Sequence, residues 1–70
     1  MTMTMEDILA GLVSQGFVQD ASAVVNVYVF HTTEGDYSTE YDVVEVVLVF
    51  EDGTQDRVVL SPSQYDQLAG

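Results

Sequence analysis

Two long β-branched and aromatic runs, residues 23–33 and 37–50, are separated only by Glu34-Gly35-Asp36, and this adjacency constrains the fold more than any other feature of the chain. Runs joined by so short an interruption read as one long antiparallel hairpin, because parallel strands need a crossover of roughly a dozen residues. Glu51-Asp52-Gly53 supplies a second turn, with Gly53 suited to positive φ, ahead of a third strand over residues 54–60. If Gly53 closes that turn as a three-residue loop, Phe50 pairs near Thr54. The sheet is then an antiparallel meander.

Helical signals flank it. Thr4 followed by Asp7 approximates a capping box, and Glu6 and Asp7 suit the positive end of a helix macrodipole. Met5, Ile8, Leu9, Leu12 and Val13 then form one apolar stripe, and Gly16 stands where a left-handed cap is expected, so a helix is predicted over about residues 5–15. At the other end Ser61 reads as an N-cap, Pro62 as the first helical residue and Gln64 as the partner of a second capping box. The expected fold class is α+β, ordered α-β-β-β-α, a single domain over residues 1–70 with helix packed on one face of the sheet.

Strand alternation separates the two faces. One carries Val25, Val27, Val29, Val44, Val46, Leu48, Phe50, Val58 and Leu60, enough for the helices to pack against. The other carries Tyr28, Phe30, Tyr41, Val43, Val47, Val49 and Val59 among Asn26, Glu45 and Arg57. That second face is too apolar to be simply wet, and Tyr28, Phe30, Val43 and Val47 form a candidate dimer face unless the hairpin curls or the C-terminal helix crosses over it.

Composition bounds the chemistry. At 70 residues the chain is near the lower limit for a lone apolar core, and without cysteine it has neither disulfides nor thiol chemistry. A hydrophobic content of 47% separates it from acidic disordered tails. Met1-Thr2-Met3-Thr4-Met5 carries no Lys or Arg and no long apolar run, so it resembles no targeting signal, and a cytoplasmic protein is expected. The acidic residues lack the spacing of a calcium loop, His31 has no catalytic partner at a telling spacing, and there is no glycine-rich phosphate loop. Neither a metal, a cofactor nor an enzymatic activity is expected.

What remains is charge: twelve carboxylates against Arg57 alone, a net charge of -11. Such a surface is repelled by nucleic acid and anionic lipid, so the expected partner is a basic protein. Duplex DNA carries one charge per roughly 1.7 Å of axis, or about sixteen over the roughly 28 Å body expected of a compact chain this long. The carboxylates approach that density. Self-repulsion should also raise folded-state carboxylate pKa values and make the domain more stable in salt or mild acid.

In brevity, near absence of Lys and Arg, and the run Glu34-Gly35-Asp36-Tyr37-Ser38-Thr39-Glu40-Tyr41-Asp42, the chain resembles the small acidic anti-CRISPR and anti-restriction proteins of bacteriophages, several of which mimic DNA. The resemblance implies an inhibitor bound to a nucleic-acid-binding site on a host CRISPR effector subunit or another DNA-handling protein, acting in the host cytoplasm. On this reading Glu34, Asp36, Glu40 and Asp42 are the contact carboxylates, Tyr37 and Tyr41 aromatic anchors, and Glu51, Asp52 and Asp56 a second patch. The alternative is a non-inhibitory dimeric accessory module using the apolar sheet face, its acidity serving solubility or adaptation to high salt.

Overall fold

Local signals place each element. The computed structural model describes residues 3–69; Met1, Thr2 and Gly70, and with them part of the segment read for a targeting signal, lie outside the described residues. Helix α1 spans Met5–Ser14. Thr4 caps it through a reciprocal box, the Asp7 N–H donating to Thr4 Oγ1 at 3.2 Å and the Thr4 N–H to Asp7 Oδ2 at 3.3 Å. Gly16, at φ 84°, ends it: the Gly16 N–H bonds the Val13 carbonyl and the Phe17 N–H the Leu12 carbonyl, the paired pattern of a glycine-terminated helix.

Strands β1 (Val24–Glu34), β2 (Tyr41–Phe50) and β3 (Gln55–Leu60) follow as an antiparallel sheet of order β1-β2-β3. The turn at Glu51-Asp52-Gly53 closes as expected, with the Phe50 N–H donating to the Thr54 carbonyl at 2.8 Å and Gly53 at φ 88°. Helix α2 (Pro62–Asp66) opens with the Ser61–Gln64 capping box and runs into a 3-10 turn, Gln67–Ala69.

Both helices lie on one face of the sheet. Ile8 and Leu12 of α1 meet Val44, Val46 and Leu48 of β2, Leu60 of β3 and Leu68 of the 3-10 turn in one apolar cluster. Full burial of a side chain of this size contributes roughly 1.5–3 kcal/mol. The α1 stripe is narrower than its spacing suggests, because Met5 and Val13 stay about two-fifths exposed. Gly11 sits against Leu68, so close that a Cβ there would come within 2.4 Å of the Leu68 carbonyl oxygen.

Three sequence expectations need correction. Residues 37–40 are not strand: β2 starts at Tyr41, because the Asp36 carboxylate gathers Ser38 and Thr39 into the turn. Val24, not Val25, packs on the core, since the pairing slips between Val24 and Asn26 and the resulting bulge turns Val25 outward. Val43, expected on an exposed dimer face, is only 5% exposed. The α2 helix stays on the core face, as expected: Tyr65 packs against the helix-side cluster and meets His31 edge-on at 5.9 Å.

The outer face is therefore left open. Along it run the rows Asn26/Val49/Gln55, Tyr28/Val47/Arg57, Phe30/Glu45/Val59, Thr32/Val43 and Glu34/Tyr41. Tyr28, Phe30, Tyr41 and Val59 are about two-fifths or more exposed on it, and Val47 is half-buried between Tyr28 and Arg57.

Candidate functional site

The shape of the site follows from unequal strand lengths. β3 pairs only with Val44–Val49, whereas β1 and β2 continue pairing as far as Glu34 and Tyr41. The hairpin thus overhangs the sheet by about 10 Å plus its turn. Every residue from 30 to 42 is exposed. This arm stretches the molecule to 40 × 28 × 21 Å, longer than the compact body inferred from chain length.

Gly35 makes the tip feasible. It adopts φ 106°, and a Cβ at this position would lie 2.4 Å from the Thr39 carbonyl oxygen, so any side chain would force the turn open. Asp36 then organises the turn through one oxygen. Its Oδ1 accepts from the Ser38 N–H and hydroxyl at 3.0 Å each, the Thr39 N–H at 3.0 Å and the Thr39 hydroxyl at 2.7 Å. Those bonds, led by the Thr39 hydroxyl, lower its pKa to about 2. Tyr37 projects wholly into solvent beside an open hollow of about 250 Å³ lined by Gly35, Asp36, Tyr37 and Glu40.

The remaining tip carboxylates are divided between faces. Glu34 and Tyr41 oppose each other on the open face, while Asp42, opposite Thr33, lies on the helix side. There it borders a second hollow of about 430 Å³ with His31, Thr32, Thr33, Val43 and Pro62.

Glu51 and Asp52 occupy the far end of β2, separated from the tip by the strand's length of about 30 Å. A single narrow cleft cannot hold both patches. Asp52 Oδ1 accepts from the Thr54 N–H at 3.0 Å and its hydroxyl at 2.6 Å, which lowers its pKa, the hydroxyl bond foremost. Asp56 accepts from the Arg57 N–H at 2.9 Å on β3. Asp20 belongs to this end as well, since the Glu51 N–H bonds the Ala23 carbonyl and so ties the loop before β1 to the second turn. Its carboxylate bonds the Ser22 N–H and hydroxyl, which lowers its pKa, the backbone bond foremost. Asp20 is absent from the carboxylates that charge clustering singles out, although Asp20-Ala21-Ser22 has the form of an Asx turn.

Acid chemistry thus sorts into two kinds. Asp7, Asp20, Asp36, Asp52 and Asp56 accept from neighbouring backbone N–H groups and shape the chain locally. Arg57, itself exposed, sits 3.5 Å from the half-buried Glu45 on the open face, a pairing of small energetic weight. Glu34, Glu40 and Asp42 at the tip, and Glu51 at the far turn, make no such bond among the described residues, so their oxygens face solvent.

The lowered aspartate pKa values run opposite to the rise expected from repulsion. A folded-state value near 2 for Asp36, against 3.8 ordinarily, stabilises the fold above about pH 4, and the contribution is lost as pH falls through about 2. Comparison with Asp36→Asn cancels the relief of repulsion that both proteins share on acidification. The difference in thermal midpoint should be constant from neutrality to about pH 4 and shrink towards pH 2. A difference unchanged across that interval would mean that the turn does not bind Asp36 as a carboxylate.

No known protein family, curated protein or solved structure matches the chain. Among the described residues, no helix is long and apolar enough to cross a membrane.

Proposed function

We propose that the chain is a non-catalytic binding protein whose acidic hairpin arm enters a basic site on another protein, in the specific form of a DNA mimic that inhibits a nucleic-acid-handling target of the anti-CRISPR or anti-restriction kind. The observation that carries this reading is the overhang. Glu34, Glu40 and Asp42 present unengaged carboxylates on a projection clear of the core, with Tyr37 and Tyr41 exposed beside them. Asp36 keeps its charge while holding the turn rigid, so little ordering cost falls on binding. Over a 40 Å body, twelve carboxylates match the linear charge of one B-form strand, about one per 3.4 Å, and not that of the duplex. Glu51, Asp52 and Asp56 would reach the same target only across a basic surface of about 30 Å.

The test joins charge reversal to competition. The paired substitution Glu40→Lys and Asp42→Lys should slow association with the target by about tenfold or more at low salt and flatten its salt dependence, with the fold unchanged. The protein captured from a bacterial lysate by the wild-type chain should bind duplex DNA and release the chain when DNA is added. Binding indifferent to the reversal, or capture that DNA does not compete, overturns the reading.

A second reading is a non-inhibitory dimeric accessory module, with the acidity serving solubility. It is favoured by the uncovered outer face, on which Tyr28, Phe30, Tyr41 and Val59 remain exposed. Under this reading Phe30→Asp abolishes function and the charge reversal spares it.

A further inference from the structure

We propose that the outer edge of β1 is a self-association site, at which a second copy of the chain adds its own β1 antiparallel and joins two three-stranded sheets into one of six. This stands independently of which target meets the acidic tip. Strand β1 is an edge for all of its 11 residues. Among the described residues, no backbone hydrogen bond from outside the sheet reaches residues 25–34.

The two edges of the sheet are treated differently. β3 is 6 residues long and carries Asp56 and Arg57, with the Arg57 N–H taken by the Asp56 side chain. Short length and charge are the usual protection of an edge. From Val24 through Thr33, β1 has no charged side chain and no proline, in a chain with twelve carboxylates. Its one comparable guard is Asn26, whose Oδ1 accepts the Val27 N–H at 2.9 Å.

That bond also sets the phase of the edge. Alternate residues of an antiparallel strand direct both backbone groups away from the neighbour, so Val27 pointing outward places Val29, His31 and Thr33 in the same outward set. A two-fold axis through Val29, the centre of the strand, pairs each outward residue with another outward residue. It sets Tyr28 opposite Phe30 of the second copy on the open face, where the two side chains are 48% and 53% exposed.

Charge selects the occupant. A basic segment finds no carboxylate along this seam, whereas a second β1 matches it in both polarity and hydrogen-bonding pattern. Antiparallel addition also directs the two hairpin tips away from each other. The seam is about 30 Å long and a sheet about 10 Å thick, so the contact is about 300 Å² per copy, below the roughly 800 Å² of a tight interface. Association is therefore weak, and with a net charge of -11 on each copy it strengthens as salt rises. Binding to a basic partner weakens under the same change, so failure of one reading is distinguishable from failure of the other.

Sedimentation equilibrium up to about 1 mM protein, in about 50 mM and about 500 mM NaCl, should show a monomer–dimer equilibrium at least about tenfold tighter in the higher salt. Amide exchange by NMR should show Val29, His31 and Thr33 gaining protection with protein concentration. Phe30→Glu, with unchanged circular dichroism, should weaken the dimer by about tenfold. A monomer at the highest concentration in high salt overturns the proposal. So does a dimer that leaves those three amides unprotected, since that outcome assigns the contact to the sheet face.

Discussion

Replacing Leu12 with alanine is expected to remove about half of the fold's stability. Leu12 is fully buried where α1 meets the sheet, in the cluster of Val44, Val46, Leu48, Leu60 and Leu68. Its carbonyl also accepts the Phe17 and Val18 N–H groups that turn the chain towards β1. Truncation of a buried leucine costs about 2–5 kcal/mol, through lost transfer energy and the residual cavity. Typical stability per residue gives a 70-residue domain about 4–10 kcal/mol in total, and this chain has no disulfide to restrain its unfolded state. Urea titration followed by circular dichroism should show a midpoint near or below half that of the wild type. A loss under about 1 kcal/mol would mean that α1 does not anchor the core.

Gly11→Ala should also destabilise, against the sign that helix propensity assigns it. In a free helix the change is favourable by about 1 kcal/mol. Here the added methyl would stand 2.4 Å from the Leu68 carbonyl oxygen and 2.7 Å from its Cα. Backbone must move, and the 3-10 turn is the piece that yields, withdrawing Leu68 and releasing the bond from the Gln15 side chain to the Gln67 carbonyl. The expected net loss is about 1–3 kcal/mol, the usual range for overpacking. A Leu68→Ala background tests the cause: truncation leaves the clash with the Leu68 backbone but removes most of the burial that the displaced turn forfeits, so the Gly11→Ala penalty should fall. An alanine variant as stable as the wild type would place the 3-10 turn farther from α1.

Local chemistry made most of the elements legible. Thr4 with Asp7, Gly16, Gly53, and Ser61-Pro62 with Gln64 each act within a few residues, and their bonds are the ones the sequence implied. The open outer face was likewise readable, because alternation through the Phe50–Thr54 closure sets the register of β2 on β3. What escaped depended on longer or competing interactions. Nothing near Val24 announces the bulge that exchanges it with Val25. The burial of Leu68 depends on Gly11, far away in sequence. At the candidate site, a count of charge does not reveal that the oxygens of Asp36, Asp52 and Asp56 bond the adjacent backbone. Aspartate in a turn answers to nearby N–H groups before it answers to a partner. Glu34, Glu40, Asp42 and Glu51 make no such bond among the described residues and keep their charge free.

The overhanging arm separates what holds the molecule together from what it shows to others. No residue between Gly35 and Asp42 belongs to the apolar cluster, and the turn is kept by Gly35, the Asp36 bonds and the Glu34–Tyr41 pairing beneath it. Positions 37 and 40 can therefore change identity at almost no thermodynamic penalty. A lineage carrying this scaffold could retarget it by exchanging a few side chains there, and an engineer could graft foreign loops between the same two strands.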